Sequence, residues 1–96
     1  MPIVYLGLGS NLGDREANIH AALERLNVAG CKALKISTII ETDPVGGPPQ
    51  GLFLNAVASV ETALSPGDLL RTCQKIEKDL GVVWIKRHKK IARRER

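Results

Sequence analysis

An asparagine stands between apolar neighbours in Phe53-Leu54-Asn55-Ala56-Val57. If this stretch is extended, Phe53, Asn55, Val57, Ser59 and Glu61 share one face. Leu54, Ala56, Ala58 and Val60 then take the other, which suits a layer under helices. The first face is open or lines a cleft. An aromatic ring beside an amide fits a flat, polar heterocycle. The ring supplies a stacking surface, and the amide supplies both donors and an acceptor for the heterocycle's edge. The same amide can instead bond nearby loop backbone, and spacing alone leaves both readings open.

Two further stretches carry candidate chemistry. Leu70, Gln74 and Glu77 recur at helical spacing beside an apolar stripe. They form either a solvated boundary or a face turned to a ligand. "GLGSNLGDR", residues 7–15, places three glycines where a strand gives way to a helix. It lacks the Gly-Lys-Ser/Thr of a phosphate cradle, and Leu12 stands where the dinucleotide pattern needs its third glycine. By spacing it is a sharp strand-to-helix turn. Cys31 and Cys73 have no metal-ligand spacing and read as reduced, buried thiols of a cytoplasmic protein.

The elements that must position these residues follow from periodicity and punctuation. Residues 3–8 form an apolar strand closed by Gly9-Ser10-Asn11. Asp14 caps a helix with Ile19, Ala22, Leu23 and Leu26 on one face, ending by residues 27–30. Residues 34–42 read as a second strand and 52–62 as a third. Between them "DPVGGPPQG" is a broad loop with three prolines and three glycines. Ser65-Pro66-Gly67-Asp68 starts a second helix as cap, first position and capping box. Leu69, Cys73, Ile76 and Leu80 form its apolar stripe, and Gly81 ends it. The order β-α-β-β-α is that of a ferredoxin-like α+β sandwich, with the last core strand missing or replaced by the tail. Residues 82–85 are a candidate for that strand. The chain divides into a domain at 1–81 and a basic tail at 82–96.

Bulk properties narrow the function. The 96 residues allow one domain. No apolar run approaches the roughly 20 residues of a membrane span, and the N-terminus shows no secretory leader. The net charge of +4 arises in the tail, which holds seven of fourteen basic residues in its last eleven positions against Glu95 alone. Residues 1–85 carry seven basic against nine acidic side chains, a net of −2. The body therefore has no general basic face. With one Phe, one Tyr and one Trp it also lacks the stacking aromatics of a sheet-based RNA reader. Specific nucleic-acid recognition is not expected.

Three blocks together resemble one family: "YLGLGSNLGDREANI", "TIIETDPVGGPPQGLFLNAV" and "VETALSPGDLLRTCQKIEKDLG". They are similar, in order and spacing, to 6-hydroxymethyl-7,8-dihydropterin pyrophosphokinase, which transfers diphosphate from ATP to a pterin alcohol in folate biosynthesis. The resemblance covers residues 3–81. It implies an α/β sandwich with a ferredoxin-like core. It implies a pterin site of Thr42, Pro44, Val45, Phe53 and Asn55, with Phe53 stacking on the ring and Asn55 bonding its edge. It places Leu70, Gln74 and Glu77 near the nucleotide, and it makes residues 45–51 a loop that closes over the substrates.

After Gly81 the likeness stops. The family continues with an Arg-rich loop, Arg-Trp-Gly-Pro-Arg, and an Asp-x-Asp pair that holds two Mg2+ ions on the ATP phosphates. Here Val82 and Trp84 stand in the loop's arginine positions, and neither Trp-Gly-Pro nor Asp-x-Asp occurs. Glu41-Thr42-Asp43 has similar spacing but sits at the pterin loop. The expectation is a chain that keeps the pterin half of the site, with ATP and Mg2+ used by the family but no Mg2+ ligands and no catalytic residue assigned here. The competing readings are non-catalytic: an RNA-binding ferredoxin-like module with a basic tail, or an assembly partner. In the latter an open edge of the first strand pairs with a second copy, making a homo-oligomer.

Overall fold

The computed structural model describes residues 2–42 and 52–87. These fold as β1 (Ile3–Ser10), α1 (Arg15–Val28), β2 (Cys31–Ile36), β3 (Ile40–Thr42), β4 (Phe53–Thr62), α2 (Pro66–Leu80) and β5 (Trp84–Arg87). The sheet order is β2-β4-β1-β5, with β3 added to β4, and every pairing is antiparallel. The expected α+β sandwich is present, and β5 supplies its last strand.

Both helices begin as their sequences require. The Asp14 side chain accepts from Ala17 N at 3.1 Å, and Gly13, at φ 67°, makes the turn that leads into it. The Ser65 hydroxyl accepts from Asp68 N at 3.2 Å, with Pro66 at the first helical position. The Asp68 carboxylate meets Arg71 at 2.6 Å, and this contact, helped by Ser65, holds its pKa below the ordinary carboxylate value. Gly81 ends α2 in the left-handed region at φ 74°. One face of each helix meets the sheet. Ile19, Ala22, Leu23 and Leu26 of α1 and Leu69, Cys73 and Ile76 of α2 pack on Leu6, Leu8, Ala58, Val60 and Ile85.

Two expectations about strands need correction. The span 34–42 is not one strand: β2 begins at Cys31, and residues 37–39 separate it from β3. There the Ser37 hydroxyl accepts from Val57 N and Ser37 N donates to Val57 O, each at 2.8 Å. A side chain has taken over one ladder bond, and the register shifts between Ala33 and Lys35. The first strand also runs on to Ser10 rather than ending at Leu8.

A third finding concerns the sheet edge. β5 pairs with β1 from Leu6↔Arg87 to Gly9↔Trp84. Val83 and Ile85 turn inward and are buried. Along residues 6–9 β1 is internal, so the open first-strand edge expected to pair with a second copy is filled there by the chain itself.

Candidate functional site

The helices cover one face of the sheet. On the other, alternation brings Gly7 and Gly9 of β1, Phe53 and Asn55 of β4, and Trp84 and Lys86 of β5 around a cleft of about 330 Å³. The register explains the convergence. Gly9 is the Cα partner of Asn55 on one side and of Trp84 on the other. With no side chain at Gly9, its two neighbours face each other across a bare floor. A Cβ there would lie 3.0 Å from Asn55 Oδ1 and 3.6 Å from the Phe53 ring.

Asn55 is half-buried, and its Nδ2 donates to Thr42 Oγ1 at 2.6 Å. Its partner is thus a side chain of β3, not loop backbone. Among the described residues, Oδ1 and the second Nδ2 hydrogen take no partner, so the amide keeps an acceptor and a donor for the cleft. Phe53 meets Trp84 edge to face, with centroids 5.3 Å apart and planes at 69°. The rings touch, so they make a corner rather than a slot. Trp84 is 48% exposed. Lys86 adds the cation of the cleft wall.

The structure therefore assembles Thr42, Phe53 and Asn55. Pro44 and Val45, with the whole loop 43–51, lie outside the described residues. Leu70, Gln74 and Glu77 are not part of this cleft; they lie on α2, in the helix layer. Leu70 is 58% exposed and borders a small depression with Leu69, Cys73, Ile85 and Arg87. Gln74 is exposed. Glu77 Oε2 accepts from Ile85 N at 2.7 Å, so this carboxylate fastens β5 to the helix layer. Trp84 and Lys86 were not among the expected site residues. The alternation Val83-Trp84-Ile85-Lys86 is the signal that points to them.

The opening motif makes the turn its spacing implied. The Ser10 hydroxyl donates to Val82 O at 2.6 Å and accepts from Asn18 Nδ2 at 3.1 Å. Asn18 also donates to Leu12 O at 2.8 Å. This network ties the end of β1 to α1 and to the segment that leads into β5. Among the described residues no three His, Cys, Asp or Glu side chains converge, and the Glu41 carboxylate is engaged by Arg15 at 2.9 Å. Cys31 and Cys73 are buried free thiols. Burial, then the proximity of Cys31 and Glu77, pushes the Cys73 thiol from 9.0 up to about 11, so it stays protonated and unreactive at neutral pH.

The domain is thus antiparallel α+β, with one face covered by helices and an amide and two rings on the other. The chain belongs to the 7,8-dihydro-6-hydroxymethylpterin-pyrophosphokinase family, whose model matches residues 5–95. It is 47% identical over 81 residues to the 2-amino-4-hydroxy-6-hydroxymethyldihydropteridine pyrophosphokinase of Porphyromonas gingivalis, covering 84% of this chain and 55% of that protein. It is 45% identical over 80 residues to the enzyme of the same name from Bacillus subtilis, covering 82% and 48%. The folic acid synthesis protein fol1 of Schizosaccharomyces pombe is 44% identical over 80 residues, 82% of this chain and 11% of that protein. The chain spans about half the length of the bacterial relatives.

Proposed function

We propose that this chain carries the pterin-binding part of a pyrophosphokinase that transfers diphosphate from ATP to 6-hydroxymethyl-7,8-dihydropterin. In that reaction the hydroxymethyl oxygen bonds to the β-phosphorus, the bond from that phosphorus to the α,β-bridging oxygen breaks, and AMP leaves. The observation that carries the reading is the Asn55 amide, oriented by Thr42 over the bare floor of Gly9 and beside Phe53. In this arrangement Asn55 bonds the pterin edge and Phe53 stacks on its ring. Thr42 sets the amide, and Pro44 and Val45 complete the pterin site. The nucleotide side, by family resemblance, uses Leu70, Gln74 and Glu77. On this reading Glu77 acts through β5, whose backbone it holds. The setting is the cytoplasm, and the partners are small molecules.

The bound ring is held and oriented by residues on three strands, so its hydroxymethyl group has a fixed direction. The charge that develops on the phosphates is the task of Mg2+ in the family. With no Asp-x-Asp in these 96 residues, they bind the pterin without turning it over. The test pairs two measurements. Titration calorimetry with the pterin alcohol should show binding in the absence of ATP. AMP formation from ATP and the pterin alcohol, in excess Mg2+, should stay at background. Absence of pterin binding contradicts the reading of the cleft. Robust Mg2+-dependent AMP release contradicts the reading of the nucleotide side.

A further inference from the structure

Arg15 closes the opening motif and does not line the cleft. It is the first residue of α1, where the helix dipole favours an anion over a cation. The reason for a cation there lies outside the helix. Arg15 Nη1 donates to Leu52 O at 2.8 Å, and Nη2 lies 2.9 Å from Glu41 Oε2. Glu41 belongs to β3, and Leu52 directly precedes β4. One guanidinium thus joins the two stems that flank residues 43–51. Its side chain is 29% exposed, so the clamp is partly shielded from water.

The stem on the β3 side needs such a clamp. β3 has three exposed residues, and its pairing among the described strands is with β4 alone. Three residues of ladder hold a segment weakly. Yet the residue after Glu41 is Thr42, whose Oγ1 takes the Asn55 Nδ2 proton at 2.6 Å. Where β3 sits therefore decides which way the Asn55 amide faces. The planar guanidinium suits this task, because its donors point to two acceptors in fixed directions, which an ammonium does not do.

We propose that Arg15 is a positioning residue for the cleft: by clamping Glu41 and Leu52 it holds Thr42 against Asn55 and sets the orientation of the amide. Its effect on ligand affinity rests on the reading of the cleft as a pterin site. Its effect on Asn55 does not, and the experiment separates the two.

In the free protein, the Asn55 side-chain amide protons are followed by NMR exchange with water. Arg15→Ala should speed their exchange, as Thr42→Val does, with Arg15→Lys falling between. Unchanged Asn55 exchange in Arg15→Ala overturns the proposal. Calorimetric titration with 6-hydroxymethyl-7,8-dihydropterin then reads affinity. Arg15→Ala should weaken binding about tenfold, and Arg15→Lys about threefold. In a Thr42→Val background, Arg15→Ala should cost little more, because both changes release the same amide. Losses that simply add, with a lowered Tm, are the mark of an arginine that only supports the fold and overturn the proposal. If the wild-type chain binds no pterin, the reading of the cleft fails, and the Asn55 exchange alone decides the role of Arg15.

Discussion

The two faces of the sheet are built from the same strands by opposite rules. Under the helices, Leu6, Leu8, Ala58, Val60 and Ile85 meet apolar side chains from α1 and α2. Each contact there is one of many, and chemistry matters less than volume. On the open face, Gly9, Phe53, Asn55 and Trp84 occupy the intervening positions of β1, β4 and β5. Each does something its neighbours do not: a bare floor, a ring, an oriented amide, a second ring. The first face is redundant and sets stability. Under the proposed function, the second is specific and sets what is bound. A substitution should therefore report its face by which property it changes.

The largest effect is expected on the covered face. Leu26 is fully buried, and Leu26→Ala should cost about 2–5 kcal/mol of stability in urea unfolding. While the variant stays folded, its pterin affinity should be close to that of the wild type. Second comes alkaline stability. The Cys73 thiol is raised from 9.0 to about 11 in the folded protein, so folding favours its protonated form. That contribution is complete below about pH 9 and is lost as pH rises toward about 11, a loss on the order of 2 kcal/mol. Comparing urea midpoints of the wild type and Cys73→Ala across that range checks it, since the variant should lose less stability as pH rises.

The smaller effects belong to the open face and should appear in binding rather than stability. Gly9→Ala puts a Cβ 3.0 Å from Asn55 Oδ1, and the amide must move to accept it. Pterin affinity should fall about tenfold, as for a lost or misdirected hydrogen bond. Trp84→Ala removes one ring of the cleft and should cost about 0.5–1.5 kcal/mol of binding, the worth of one aromatic contact to the ligand. If Gly9→Ala unfolds the chain while leaving binding intact in the folded fraction, the division between faces is wrong.

The covered face was largely legible in the sequence. The stripe Leu69, Cys73, Ile76 and the caps Ser65 and Gly81 are local patterns, and local patterns survive into the fold. Alternation in β4 likewise separated Ala56, Ala58 and Val60 from Phe53 and Asn55 before any pairing was known. The break between β2 and β3 was not legible, because it depends on the Ser37 hydroxyl meeting Val57 N twenty residues away. Nor was β5 clear, since its four residues run straight into charge. Its inward Ile85 and outward Trp84 acquire meaning once β1 is beside them. The Arg15 clamp spans 37 residues and leaves no periodic trace at all. Of the cleft, the part carried by one strand was readable; the part made by register across three strands was not.

Under the proposed function, the open face holds a pterin through Asn55. Its most direct test is calorimetric titration of 6-hydroxymethyl-7,8-dihydropterin into the wild-type chain and into Asn55→Ala, without ATP. The expected result is wild-type binding, a loss of about 1–3 kcal/mol in the variant, and nearly equal unfolding midpoints for the two proteins. Equal affinity in the two proteins, or no binding to the wild type, would contradict it.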